Sequence, residues 1–348
     1  IKLVFVSPLR VVLAKWNKKK AVSQQNIAFP VLRLFGGKNM RILVKTAGMS
    51  REEWLRWRTK GIGGSDVSVI AGVNPFRSIF QLWLEKTGQV EPEETENDNT
   101  HFGNVLEPVV KREFSKRTGL KVRAKRALLQ SEEYPFMLAD LDGVIYENGK
   151  MNLFEAKTAS AYKQEIWEKG IPEEYVLQVQ HYMAVTGAEK TYLAALVGGN
   201  RFYWKVVRRD EQKIAEIIAL EKAFWEENVL AGKEPVPDGS GATTDFLNEK
   251  YASSNGNTIL LPEEALGLCR RYEELSGQLN ELQDKKDAVS NQLKNFLKNN
   301  ESGVIGEYRV TWKQVTSMTF DKKRLERENH ALYEEYLTKK QYRRLTVA

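Results

Sequence analysis

Between residues 121 and 157 the hydrophobic period of the chain changes, and no other feature restricts its fold as much. The runs 121–129, 136–139, 143–146 and 151–157 are short and apolar, and turn residues such as Asn148-Gly149 separate them. Each run predicts a strand, and the spacing predicts tight hairpins. Helical signals lie on both sides. Ser50-Arg51-Glu52-Glu53 is a capping box that opens a helix through Arg58. Ser65 and Asp66 suit the cap of a short helix from Val67 to Ala71. Ser78 to Lys86 reads as a helix stopped at Gly88, and an acidic loop covers 91–99. Phe102 to Arg117 reads as a longer helix with Val105, Val109 and Phe114 near one face. Downstream, Ile171-Pro172-Glu173-Glu174 opens a helix that runs to Val185 and ends at Gly187. The runs 191–197 and 201–207 flank Gly198-Gly199-Asn200 as a hairpin, and 210–230 turns Ile214, Ile217, Ile218, Leu220 and Phe224 inward. A sheet assembled between helices is α/β in class.

The chain has 348 residues, more than one average domain needs. The expected division is an α/β domain over 40–233, a linker rich in Pro, Gly, Ser and Asn over 234–258, a helix over 259–300, and a small α/β appendage over 301–348. In the helix, Leu261, Ala265, Leu268, Tyr272, Leu275, Leu279, Leu282, Lys286, Val289, Leu293 and Phe296 alternate spacings of four and three. That is a heptad seam broken only at Lys286. Two readings stand side by side: an amphipathic helix lying on its own domain, or a coiled coil with a second copy or a partner. Tyr308 to Trp312 alternates like a strand, and the charged run 321–340 reads as helical.

Net charge is +7, yet it says little about partners. Residues 1–39 hold eight basic side chains and no acid, while the other 309 carry 45 basic and 46 acidic ones. Local arrangement must therefore carry any case for DNA. The run Gly36-Gly37-Lys38-Asn39-Met40 matches the translation of a GGAGG-type ribosome-binding site. The expectation is that Met40 or Met49 is the native start and that 1–39 is upstream or disordered sequence. The rival reading is a basic DNA-binding arm. A signal peptide fits poorly, because Lys15 to Lys20 follow the apolar stretch instead of preceding it. One cysteine, Cys269, excludes an internal disulfide, a Cys-rich zinc site and a four-Cys iron–sulfur cluster, and makes the reducing cytoplasm the default compartment. No run approaches the roughly 20 apolar residues of a membrane span.

Chemistry concentrates on two neighbouring strand runs. Asp142 sits in Ala139-Asp140-Leu141-Asp142-Gly143, and Glu155 and Lys157 sit in Leu153-Phe154-Glu155-Ala156-Lys157. Side chains two apart on a strand share a face, so Glu155 and Lys157 project together and Asp142 reaches them from the adjacent strand. Two converging carboxylates suit Mg²⁺, which keeps several waters. Bound there, it acidifies a water and neutralises phosphate charge, while Lys157 positions the nucleophile or stabilises the developing charge. Glu107 on the preceding helix lies within reach of such a metal. Tyr175, Gln178 and Tyr182 make a polar-aromatic stripe at i, i+3 and i+7 that suits the roof of a site better than a core. The bland readings are a turn Asp, a solvated Glu-x-Lys and an ordinary helix face. His101, His181 and His330 lack metal-ligand spacing and read as structural or surface residues. Trp57, Trp83, Trp167 and Trp204 read as packing.

Asp142, Glu155-Ala156-Lys157, Glu107 and Gln178-Val179-Gln180 resemble the PD-(D/E)XK nuclease pattern. More narrowly, Gly61-Ile62-Gly63-Gly64-Ser65-Asp66 with Gly103-Asn104-Val105-Leu106-Glu107-Pro108 resembles the YqaJ-type viral recombinases, relatives of phage lambda exonuclease. The resemblance runs from about Trp54 to Lys233 and joins five motifs in order. It implies a restriction-endonuclease-like core, a central mixed sheet flanked by helices. It also implies a DNA nuclease dependent on Mg²⁺, with Mn²⁺ as a substitute. Asp142, Glu155 and the Ala156 carbonyl would hold the metal, and Glu107 would support it or its waters. Lys157 would serve the attacking water and Gln178 would hold the site. Arg58 and Ser65 match positions that take a terminal 5′-phosphate, which suits a capped helix start beside a guanidinium fork. Tyr175 joins them as a DNA-contacting candidate. One departure is Asp140, which stands where that family carries a small hydroxyl residue against the same phosphate.

The reading that results is a phage or prophage 5′→3′ exonuclease on double-stranded DNA, acting in recombination in the bacterial cytoplasm. A RecT- or Redβ-like single-strand annealing protein is the implied partner, and the assembly is a homo-oligomer, a ring trimer by resemblance or a coiled-coil dimer. The alternatives are an endonuclease of the same fold, and a catalytically inert DNA-binding or scaffolding module working through its coiled coil.

Overall fold

Residues 40–92 and 97–347 are described by the computed structural model. The expectations for 1–39 therefore lie outside the described residues, as does 93–96 of the acidic loop. The chain forms two compact units that divide after Leu247.

The first unit opens with β1 (Met40–Lys45), α1 (Arg51–Arg58), β2 (Ile62–Gly63), α2 (Gly64–Ile70), α3 (Ile79–Lys86) and α4 (Asp98–Thr118). Four strands follow as the period predicts: β3 (Ala127–Ser131), β4 (Met137–Asp140), β5 (Gly143–Glu147) and β6 (Lys150–Ala159). Next come α5 (Gln164–Lys169), α6 (Glu173–Thr186), the hairpin β7 (Lys190–Val197) and β8 (Arg201–Arg208), and α7 (Glu211–Ala223), which continues as a π-helical turn over Phe224–Leu230. Local chemistry sets the ends. Ser50 caps α1 by accepting the Glu53 N–H, Ser78 caps α3 by accepting the Gln81 N–H, and Gly187 closes α6 in the left-handed region. The result is mixed α/β, as the sequence indicates. The strands form two four-stranded sheets, ordered β1-β3-β4-β2 and β5-β6-β7-β8, which the chain links at Leu141-Asp142. Among the described strand pairs, only β2–β4 and β6–β7 are parallel.

Four details differ from the sequence reading. Helix α4 buries Val110 and Phe114 (1% and 0% exposed), whereas Val105 and Val109 face solvent at 52% and 39%. The adjacent valines 109 and 110 made the stripe ambiguous, and aromatic packing of Phe114 on Phe154 and Tyr192 selects Val110. Ser65 does not cap α2. Gly63 is the cap, and Asp66 reaches back to accept the Gly63 N–H at 3.0 Å. The run 121–129 is a strand only from Ala127, preceded by an isolated bridge between Arg123 and Val144. The supposed linker holds α8 (Gly241–Lys250), because Ala242 and Thr243 are buried and Phe246 packs on Phe80 at 5.3 Å.

The second unit contains α9 (Glu264–Leu297), the hairpin β9 (Ser302–Ile305) and β10 (Tyr308–Thr311), and the short helices α10 (Lys322–Glu328) and α11 (His330–Glu335). Leu261 precedes α9, and the seam residues Leu268, Leu279, Leu282 and Phe296 are exposed in the single chain. Among the described residues no helix is long and apolar enough to cross a membrane.

A buried ion pair joins three elements of the main core. His181 of α6 meets Glu221 of α7 through Nδ1 at 2.6 Å, and its Nε2 donates to the Leu138 carbonyl of β4 at 2.8 Å. Both ring nitrogens face acceptors, which suits the imidazolium. Burial lowers the imidazole's proton affinity, but the Glu221 carboxylate outweighs it and holds the group above its ordinary value of 6.5. Burial raises Glu221 as well. Both shifts mean the folded chain keeps a proton that the unfolded chain gives up. The stability that the raised His181 value contributes is complete below about pH 6.5 and is lost as pH rises through the folded value, by up to about 1.4 kcal/mol per pH unit, and the raised Glu221 adds a loss of the same sign that begins above its ordinary value of 4.5. Urea unfolding of the wild type from pH 6.5 to 8.5 shows that slope. His181→Asn lacks it and is less stable by about 3–5 kcal/mol at pH 6.5.

Candidate active site

The site forms where β5 stops. Its ladder with β6 runs from Glu147↔Lys150 to Gly143↔Phe154 and ends there. The Asp142 side chain takes over from the backbone, and its Oδ2 accepts the Ala156 N–H at 2.8 Å. Only glycine fits at 143, since a Cβ would lie 2.5 Å from Val122 Cγ1. Strand alternation puts Glu155 and Lys157 on one face, as expected, and Lys157 Nζ donates to Glu155 Oε1 at 2.7 Å. From α6, Gln178 Nε2 donates to the same oxygen at 2.7 Å and to the Tyr182 hydroxyl at 3.2 Å. This approach needs Gly64 on α2, where a Cβ would sit 2.5 Å from the Tyr182 ring.

The buried Glu155 and the half-buried Asp142 thus stand near one ammonium, which contacts Glu155. Burial, and then the Glu155 charge, push Asp142 well above the usual carboxylate range, with Lys157 opposing. Burial also raises Glu155, again against Lys157. Lys157 itself is lowered by burial, but the two carboxylates outweigh that and raise it. The cluster is one positive charge short. Among the described residues, no group of three or more His, Cys, Asp or Glu side chains is arranged to hold a metal. That leaves Asp142, Glu155 and the Ala156 carbonyl as an all-oxygen donor set. Few protein ligands and an uncompensated charge fit a hard divalent cation that keeps most of its waters.

A cavity of about 630 Å³ opens over these groups and is lined by Asp142, Glu155, Ala156, Lys157, Gln178, Glu107, Arg58 and Ser65. Glu107 is paired with Lys111 one turn further along α4. Arg58 Nη2 donates to Ser65 Oγ at 2.8 Å and approaches Asp66 at 3.5 Å. Asp66 is fully buried, and also meets Lys86 at 2.8 Å and Arg77 at 3.1 Å. Burial would raise its carboxyl, but Lys86, Arg58 and Arg77 outweigh that and hold it far below the usual range. With Glu85 on Arg77, three cations face two acids, so the Arg58 end of the cavity is net positive. Tyr175 lies under Lys157, with Nζ 4.9 Å from its ring, and stacks on Trp167 at 5.8 Å. It contacts the lysine and is not brought to Arg58 and Ser65.

The sequence reading missed Arg51 and Trp54. Arg51, Trp54 and Arg58 occupy i, i+3 and i+7 on α1 and all line the cavity. The guanidinium carbons of Arg51 and Arg58 lie 3.9 and 4.8 Å from the Trp54 ring centroid. The Trp54 indole N–H donates to Asp140 Oδ2 at 2.6 Å. Burial raises Asp140 above the usual range, with Trp54 opposing. The helical spacing was the available signal, since it puts both residues on the face of Arg58.

A family model described as "YqaJ-like viral recombinase domain" matches residues 53–189. The YqaJ protein of Bacillus subtilis (strain 168) is 41% identical over 314 residues, which cover 89% of this chain and 98% of that protein. Protein R354 of Acanthamoeba polyphaga mimivirus is 28% identical over 149 residues, 39% of this chain and 26% of that one. Among solved structures, the alkaline exonuclease LHK-Exo from Laribacter hongkongensis is 21% identical with a TM-score of 0.44, covering 58% of this chain and 98% of that one. A phage-related exonuclease from Haemophilus somnus 129PT is 14% identical with a TM-score of 0.38, covering 50% and 96%.

The raised Asp142 carboxyl fixes the sign of a stability test. Its charged form costs stability above its ordinary pKa when no cation is bound, so Asp142→Asn is more stable than wild type by about 1–3 kcal/mol in EDTA at pH 7.5. Asparagine can still accept the Ala156 N–H. Adding Mg²⁺ raises the melting temperature of the wild type and not that of the variant. A variant less stable than wild type in EDTA would contradict the uncompensated pair.

Proposed function

The chain belongs to the YqaJ-like viral recombinase family, and from that premise we propose that it is a Mg²⁺-dependent DNA nuclease on a PD-(D/E)XK core, a 5′→3′ exonuclease acting on duplex ends. The observation that carries the reading is the buried Glu155 and the half-buried Asp142 beside the single ammonium of Lys157, at the floor of a cavity whose other end is cationic. A structural salt bridge would be better satisfied by one acid, and a surface one would not be buried.

A divalent cation held by Asp142, Glu155 and the Ala156 carbonyl would neutralise phosphate charge and acidify a water. The protein groups supply the rest. Lys157, fixed between Glu155 and the Tyr175 ring, presents its ammonium to the attacking water or the charge that develops on phosphate. Gln178 holds Glu155 in one rotamer from the opposite side. Glu107, now paired with Lys111, would support such a cation or its waters. Arg58 and Ser65, already hydrogen-bonded to each other, take the terminal 5′-phosphate. Tyr175 acts on DNA through Lys157.

A second reading has a specific support. Asp140 places a carboxylate on Trp54 beside Arg58, where it disfavours a terminal phosphate dianion and favours endonucleolytic cutting. The nuclease domain spans 40–233, and 301–348 is an appendage. The exposed seam of α9 supports a homo-oligomer, a coiled-coil dimer or the ring trimer of the lambda type. We place the protein in the bacterial cytoplasm as a phage or prophage product working with a RecT- or Redβ-like annealing protein.

Linear duplex DNA with Mg²⁺ is degraded by the wild type, and Glu155→Ala lowers the rate at least about 10³-fold while its circular dichroism stays unchanged. Wild-type degradation by that variant would end the active-site assignment. Duplexes with 5′-phosphate ends, with 5′-hydroxyl ends and as closed circles separate the two modes: an exonuclease leaves the circle intact.

A further inference from the structure

The cavity continues past the carboxylates to a second charged wall that the reading above leaves without a task. Leu128 pairs with Asp140 across β3 and β4, and Arg123 bridges Val144 of β5. That register carries Lys125 and Arg126 alongside Asp142, on the side away from β6. Both line the cavity, and the Thr46 N–H donates to the Arg126 carbonyl at 3.1 Å, which fixes the segment. Their side chains differ from the other cations around the carboxylates. Lys157 is committed to Glu155, Lys111 to Glu107, and Arg58 to Ser65 and Asp66. Neither Lys125 nor Arg126 has a side-chain hydrogen bond or ion pair among the described residues. Sheet order sets the direction. Strand β4 lies between β3 and β2, so Lys125 and Arg126 enter from one flank of Asp142 and the Arg58–Ser65 pair from the other.

We propose that Lys125 and Arg126 form a second phosphate seat, which takes the DNA backbone phosphate flanking the one at Asp142 and Glu155, on the side opposite Arg58 and Ser65. The inference rests on the DNA-nuclease reading and adds the path of the strand: it crosses the end of β4, with a cationic contact on each side of the acids. Two open cations at fixed register supply the sequence-independent grip that holds a backbone in place. They also offset the repulsion that the carboxylates exert on the neighbouring phosphate.

The test uses the full chain carrying Glu155→Gln, so that DNA is bound and not degraded. Affinity for a fluorescent duplex is measured by anisotropy in Mg²⁺ over a series of NaCl concentrations. Adding Lys125→Gln and Arg126→Gln lowers the steepness of log affinity against log salt by about 2, and weakens binding at least about tenfold at low salt. Lys169→Gln with Lys205→Gln, outside the cavity, removes the same charge and leaves the slope unchanged. An unchanged slope and affinity in the Lys125/Arg126 variant overturns the seat, as does an equal loss in the control. The nuclease reading fails separately: if the wild type leaves linear duplex intact in Mg²⁺ while the slope still shifts, hydrolysis is withdrawn and the seat stands. If the Glu155→Gln parent binds no duplex at any salt, both fall.

Discussion

The interaction on which the site depends is the Asp142 carboxylate's acceptance of the Ala156 N–H. At that point the β5–β6 ladder has ended, and the Ala156 N–H would otherwise be left without a partner in the sheet. Meeting it with a carboxylate brings a second acid beside Glu155. Every later feature answers that choice. Lys157 offsets one charge, Gln178 contributes a neutral donor, and the cavity leaves the other charge open to an arriving cation.

The rest of the first unit fixes these groups without solvent's help. Gly143 and Gly64 let the Val122 and Tyr182 side chains lie against the backbone where a Cβ could not fit. The His181–Glu221 pair ties α6, which carries Gln178, to α7 and to β4, which leads into Asp142. At the other end of the cavity, Asp66 gathers Lys86, Arg77 and Arg58 onto a single buried carboxylate. Buried charges of this kind are costly unless paired and add little stability. Their use here is placement: Arg58 is held by Ser65 and Asp66 at a known position relative to the acids, and the cavity acquires a positive and a negative end.

Much of this was legible in the sequence, for physical reasons that vary by residue. Strand alternation and the Asp-to-Glu spacing bring Asp142, Glu155 and Lys157 together without knowledge of the remaining fold, because the hairpin is local. Ser50, Ser78 and Gly187 act through bonds within one turn and were equally readable. The misses depend on contacts distant in the chain. Val110 replaces Val109 inside because Phe114 must meet Phe154 and Tyr192. Helix α8 forms in a Gly- and Ser-rich stretch because Phe246 finds Phe80. Gly63 displaces Ser65 as a cap because Asp66 can serve both the Gly63 N–H and three cations. Lys125 and Arg126 carried no local motif, and only the register of β3 on β4 brings them to the cavity.

Asp140 shows how far charge arithmetic decides specificity here. Its carboxylate adds a third acid near Asp142, which by itself would repel a phosphate from Arg58. The geometry blunts that effect. One oxygen is engaged by the Trp54 indole N–H, and the Trp54 ring lies against both Arg51 and Arg58, so two cations stand within reach of one added charge. A second charge on a phosphate would double its attraction to Arg51 and Arg58 together with its repulsion from Asp140, so Asp140 narrows whatever preference the Arg58 end would have for a terminal phosphate over a backbone one.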